Sequence, residues 1–133
     1  MIKRLTMISH EHLSSYIRAL HVQDSRRPCQ LLADHELTHR EDDVLILQKV
    51  STWLFEDGVV IRCEYEEEQG QHSDACCLPC WIEFKVQEIR NDTVTVSPAL
   101  KRFTNRCQIK TWLQFNSNVE LSTQNTSGKK PKR

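Results

Sequence analysis

Across residues 81–115 apolar and polar positions alternate in a way that predicts an antiparallel meander. Ile82, Phe84 and Val86 alternate with Glu83, Lys85 and Gln87, the period-two signature of a strand with one buried face. Arg90-Asn91-Asp92 interrupts the run with two residues that tolerate positive φ, which predicts a tight turn. Val94 and Val96 resume the alternation until Pro98 stops it. After a basic connection, Cys107, Ile109, Leu113 and Phe115 fall on one face, with Gln108, Lys110 and Gln114 on the other, predicting a third strand.

Upstream, residues 9–22 predict a helix capped by Ser9, because Leu13, Tyr16, Ile17 and Leu20 recur at helical spacing. Residues 29–39 predict a second short helix carrying Leu31, Leu32 and Leu37. The acids Glu41, Asp42 and Asp43 oppose the dipole at a helix C-terminus and suit a loop before a strand. Residues 44–50 are continuously apolar, which fits a strand or a short buried helix. Asp57-Gly58 predicts a turn, and residues 59–67 a strand with Val59, Ile61, Cys63 and Tyr65 on one face. A loop over 69–79, a turn over 116–118 and a closing strand over 119–123 complete the pattern. The expected fold is mainly β: a small antiparallel β-barrel of OB, SH3 or Tudor type with one or two N-terminal helices. The helical segment spans 1–43, the barrel 44–123, and a disordered basic tail 124–133, where the residues are too polar to build a core.

Composition narrows the chemistry. With 133 residues the chain suffices for one core, and its 3 glycines form none of the glycine-rich nucleotide fingerprints. The net charge is zero but unevenly laid out. Residues 56–68 carry six acids against Arg62, whereas residues 81–115 carry six bases against Glu83, Glu88 and Asp92. An acidic strand beside a basic meander suits an anionic partner on one side. No apolar run approaches the ~18 residues of a membrane span, and the N-terminus lacks the apolar centre of a secretory signal. The six cysteines therefore read as reduced intracellular thiols. The expected location is cytoplasmic, with the terminal Lys-Lys-Pro-Lys-Arg (Lys129 to Arg133) as a nuclear-import candidate.

Three constellations could carry chemistry. His35-Glu36-Leu37-Thr38-His39 matches H-E-x-x-H, which on a helix places two zinc ligands on one face beside a general base. Its flanks, Asp34, Arg40 and the three acids after it, are those of a solvated segment, and no third ligand follows. Cys77 and Cys80 form a CxxC that Cys63 and His72 could complete into a structural zinc site. Otherwise these cysteines pack as small apolar groups. The third is the basic connection Lys101, Arg102, Arg106 and Lys110, interleaved with Phe103 and Trp112. Cations neutralise phosphates and flat rings stack on unpaired bases, the chemistry by which barrel folds hold single strands. The plainer alternative is a solvated loop with both rings turned inward.

The order of features from Phe55 to Asn118 resembles the accessory β-barrel of the Armitage-like RNA helicases, a branch of the UPF-type superfamily. It runs through the turn Glu56-Asp57-Gly58-Val59, a variable loop, the hairpin from Phe84 to Val96, a connection holding Phe103, and a closing segment ending at Phe115 and Asn116. The motor motifs of that family, GxxxxGK[ST] and the Walker-type acidic motif, do not occur, so ATP hydrolysis does not carry over. The resemblance implies an accessory module that touches RNA or a partner protein in an RNA-silencing or RNA-processing assembly. The leading expectation is thus a non-enzymatic module binding single-stranded RNA or a protein. Its contacts would be Lys101, Arg102, Arg106, Lys110 and Trp112, with no cofactor, metal, membrane or small-molecule substrate. One alternative is a small zinc-dependent hydrolase using His35, Glu36 and His39. Another is a protein-only adaptor, either Tudor-like with an aromatic cage or docking an exposed helix stripe that includes Leu13, Tyr16 and Leu20.

Overall fold

The computed structural model describes residues 7–22, 27–69 and 79–117. In chain order the elements are β1 (Ser9–His12), α1 (Leu13–Val22), β2 (Cys29–Glu41), β3 (Val44–Phe55), β4 (Val59–Glu68), β5 (Trp81–Ile89), β6 (Val94–Ser97), β7 (Leu100–Phe103) and α2 (Arg106–Phe115). The fold is mainly β. Its principal layer is an antiparallel five-stranded sheet in the order β2-β3-β4-β5-β7, and β1 and β6 form a separate parallel pair. No pairing joins β2 to β7 among the described residues, and no closed barrel is found there.

Turn chemistry sets the first hairpin. Asp42 and Asp43 both adopt left-handed backbone (φ 48° and 68°), the requirement of a two-residue hairpin turn. Short carboxylate side chains tolerate that conformation better than most. The turn ties residues 29–41 to the apolar strand β3 in register from Glu41↔Val44 to Cys29↔Phe55. The helix expected over 29–39 is therefore a strand. Leu31, Leu32 and Leu37 do not make a covered helix face but stay 40–47% exposed, and strand pairing overrides the local preference.

The first helix is shorter than its periodicity predicted. Residues 9–12 leave the helix to pair with β6, so Ser9 is no cap. Helix α1 starts at Leu13, where His12 Nδ1 accepts the Ser14 N–H at 3.2 Å and satisfies one of the orphan amides of the first turn. Its apolar stripe faces inward. Leu13, Tyr16 and Ile17 are fully buried and Leu20 packs against the core, so the stripe expected to be exposed for docking is covered.

The meander is rearranged in the same way. Strand β5 pairs with β4 on one side and β7 on the other, while β6 peels off to β1. Residues 106–115, expected as a strand, are helix α2. The reason lies in its first turn: Asn105 caps by accepting the Gln108 N–H at 2.9 Å, and Gln108 reaches back to accept the Thr104 N–H at 2.7 Å. This reciprocal arrangement is a capping box shifted by one donor. Ile109 and Leu113, four apart, are buried against Ile82, Phe84 and Phe103. Helices α1 and α2 thus cover one sheet face, joined by a 2.6 Å hydrogen bond from Arg18 Nη2 to the Leu113 carbonyl. The other face stays open and charged. There Arg102 meets Glu83 at 2.9 Å and Arg62 meets Glu64 at 2.8 Å.

Candidate nucleic-acid interface

Strand β7 is the short outer strand of the sheet, and its alternation sends neighbouring cations to opposite faces. Lys101 points under α2, with Nζ 5.6 Å from the Phe103 ring centroid and 5.5 Å from that of Trp112. Arg102 points to the open face, directly opposite Glu83 in the β5–β7 register, and its guanidinium lies 5.5 Å from the Trp81 ring. The Arg102–Glu83 pair is a cross-strand ion pair on a solvated surface, worth about 0.2–1 kcal/mol.

Between the edge of β7 and one flank of α2 runs a groove of about 590 Å3. Gln108, Thr111, Trp112 and Phe115 line it at helical spacing, and Lys101 and Arg102 line it from the strand. Trp112 is half-buried, with Phe103 at 5.6 Å on one side and His12 at 5.6 Å on another. Lys101 occupies part of its remaining surface. Phe115, by contrast, is 82% exposed. Expectation had placed Phe115 in the core of a strand; as the last residue of a helix it becomes the open ring of the groove.

The predicted basic cluster is consequently divided. Arg106 and Lys110 lie one turn apart on the opposite flank of α2, rotated by roughly 100° or more from Gln108, Thr111, Trp112 and Phe115 at 3.6 residues per turn. Arg106 donates to Tyr65 Oη at 2.6 Å with its guanidinium 4.8 Å over that ring, and Tyr65 in turn donates to Glu67. Lys110 is exposed. Lys101, Arg102 and Trp112 share the groove, whereas Arg106 and Lys110 do not. Gln108, Thr111 and Phe115 join it without having been anticipated. The N-x-x-Q at Asn105–Gln108 was the signal that would have placed them on a helix.

The H-E-x-x-H constellation is dispersed. H-E-x-x-H lies on β2, so Glu36 faces away from His35, and His35 and His39 are about 13 Å apart along an extended strand. The helical spacing that brings two such ligands together is not available to them. Cys63 sits on β4 opposite Phe84, where burial and then the Glu64 carboxylate push its thiol up to about 11. Cys80 precedes β5, raised by burial and opposed by Arg106. His72, Cys77 and the terminal basic tail lie outside the described residues. Among the described residues no group of three or more His, Cys, Asp or Glu is arranged to hold a metal. Cys107 is disulfide-bonded, against the expectation of uniformly reduced thiols, whereas Cys29, Cys63 and Cys80 are free. An aromatic cage cannot draw on Phe55, Phe84 or Phe103, which are core residues only 2–3% exposed and inaccessible to a ligand. No helix among the described residues is long and apolar enough to cross a membrane.

No family model matches the chain, and no curated protein or solved structure matches it either.

Proposed function

We propose that this chain is a non-enzymatic binding module that holds a short stretch of single-stranded RNA in the groove between β7 and α2, within an RNA-processing assembly. The observation that carries the reading is the pairing, in one groove, of two cations with one open aromatic ring: Lys101, Arg102 and Phe115. Stacking on an exposed ring contributes about 1–3 kcal/mol per base and suits any sequence. Phosphates would be met by Arg102 at the rim and Lys101 beneath. Gln108 and Thr111 offer hydrogen bonds to base edges or 2′-hydroxyls, the groups by which unpaired RNA is read. The likeness of the hydrophobic order to an accessory barrel of RNA helicases favours RNA over other anions.

The reading is tested by titrating a fluorescent oligouridylate at several salt concentrations. For single strands the logarithm of affinity falls with the logarithm of salt by about 0.7 per phosphate neutralised. Lys101→Gln with Arg102→Ala should shallow that slope by about 1.4, and Arg106→Ala with Lys110→Ala should leave it within error. A slope insensitive to the first pair removes the groove from the interface.

A further inference from the structure

The outer strand β2 has no strand on its free side among the described residues, and residues 29–38 are exposed on both faces. It is 13 residues long, and beyond the register shift between Leu31 and Ala33 its pairing with β3 is regular from Ala33 to Glu41, where natural sheets keep unprotected edges short, bulged or studded with lysine. Its apolar residues Leu31, Leu32 and Leu37 are 40–47% exposed. Such an edge invites a further strand, and the sequence of β2 indicates which one.

The hairpin turn fixes which backbone groups are free. Glu41 and Val44 flank the two-residue turn, so they form a hydrogen-bonded pair, and alternate residues back along β2 likewise bond to β3. Asp34, Glu36, Thr38 and Arg40 therefore turn their N–H and C=O groups to the free edge. A second copy of β2 running antiparallel across a two-fold axis at Leu37 uses these four residues and no others. Asp34 then stands opposite Arg40 of the second copy, twice by symmetry, and Glu36 opposite Thr38. On the other face Leu37 meets its own copy, and His35 meets the second copy's His39. The two histidines of H-E-x-x-H, kept apart within one chain, become cross-strand neighbours between two.

Neighbouring registers are disfavoured by charge. An axis at His35 sets Asp34 against Glu36, and an axis at Glu36 sets that carboxylate against itself; like charges directly opposite destabilise a strand pair. An axis at Thr38 pairs Glu36 with Arg40 but brings Asp34 against Asp42 at the turn, over a shorter overlap. From the parity of the free edge and the charge match together we infer that β2 is a homodimerisation strand, pairing antiparallel with a second copy of this chain about Leu37. The contact is isologous, as a two-fold interface must be, and joins the two sheets edge to edge.

Two measurements test this on the full chain. Sedimentation velocity over a hundredfold range of protein concentration should show a monomer–dimer equilibrium. Arg40→Asp, which sets Asp34 against a new acid, should weaken that equilibrium at least tenfold. The double change Asp34→Arg with Arg40→Asp restores the opposite charges of this register and should recover most of the loss. In a Cys29→Ser background, Leu37→Cys sits on the axis at a non-hydrogen-bonded position. There the Cα atoms are about 4.5 Å apart, within disulfide reach. Mild oxidation should give a covalent dimer with Leu37→Cys and not with Thr38→Cys. A monomer at all concentrations overturns the proposal. Cross-linking through Thr38→Cys alone overturns the register and, with it, the histidine pairing. Both variants change an exposed residue, so loss of folding does not confuse the result.

Discussion

The phenol of Tyr16 donates a 2.6 Å hydrogen bond to Oδ2 of Asp57, fastening the buried face of α1 to the turn between β3 and β4. The ring stands edge-on to Phe55 at 4.9 Å, and the Arg27 guanidinium lies 4.1 Å above it while bonding to Asp57 and Glu11. The carboxylate is thus held from three directions, since its other oxygen accepts the Val59 N–H at 3.2 Å.

Tyr16→Phe keeps the ring and removes the donor. A hydrogen bond to a charged group contributes about 1.5–3 kcal/mol, and Arg27 and the Val59 amide still satisfy Asp57. The expected loss is therefore about 1–2 kcal/mol in urea unfolding. Alkaline titration gives a second readout. Burial first, and the bond to Asp57 second, raise the Tyr16 phenol far above its ordinary value of 10.0. Below that pH the phenol is protonated in both states and the linkage is silent. Above it the unfolded chain loses the proton that the folded chain keeps, so stability falls as pH rises, by at most ~1.4 kcal/mol per pH unit. Tyr16→Phe should flatten this alkaline limb; an unchanged limb would assign it to other groups.

Gly58 is the second fastening. Its φ of +93° is one that L side chains rarely adopt, and its carbonyl accepts the Arg90 N–H at 2.8 Å, bringing the turn after β5 against the turn before β4. A Cβ there would stand 3.1 Å from that of Asn91. Gly58→Ala should lower the urea midpoint by the equivalent of about 1–3 kcal/mol, through backbone strain and this contact, without changing the slope.

How much of this was legible in the chain depended on whether one pattern served two periods. Val59, Ile61, Cys63 and Tyr65 alternate over the length of β4 and read unambiguously. Ile109 and Leu113 satisfy a strand (both odd) and a helix (four apart), and only the Asn105–Gln108 capping pair decides between them. Read as a strand, the same positions send Phe115 to the core and the four cations to one surface. On β2 the error had the opposite source. Leu31, Leu32 and Leu37 invited a helix, yet the two aspartates at 42 and 43 are good turn formers, and the turn dictates pairing with β3. The parallel pairing of β1 with β6 joins segments 85 residues apart, by the 2.9 Å contact of His10 with Thr95. No local pattern encodes such a contact.

The free thiols should separate by reactivity. Cys29 is exposed on the outer strand, whereas Cys63 is packed against the core, and burial pushes its thiol up to about 11. At pH 8 only about one Cys63 in a thousand is thiolate, the reactive species. Iodoacetamide followed by peptide mass analysis should label Cys29 first and Cys63 slowest. Prompt labelling of Cys63 would mean that the sheet opens at β4.

Two of the groove rings, Phe115 and Trp112, offer the sharpest separation of binding from folding. Phe115 ends α2 with 82% of its surface exposed, so Phe115→Ala removes little packing and should change stability by less than about 0.5 kcal/mol. If a base stacks on it, the same change should weaken oligouridylate binding by about 1–3 kcal/mol, roughly 5- to 150-fold. Trp112 is the converse case. Wedged among Phe103, His12 and Lys101, it supports the core, and Trp112→Ala should cost several kcal/mol of stability. Equilibrium unfolding and RNA titration on the two variants therefore form a crossed pair. Phe115→Ala should lose affinity with stability intact, and Trp112→Ala should lose stability whatever its affinity. Affinity untouched by Phe115→Ala would leave the open ring without a ligand. The groove would then be a surface depression made by the helix meeting the strand.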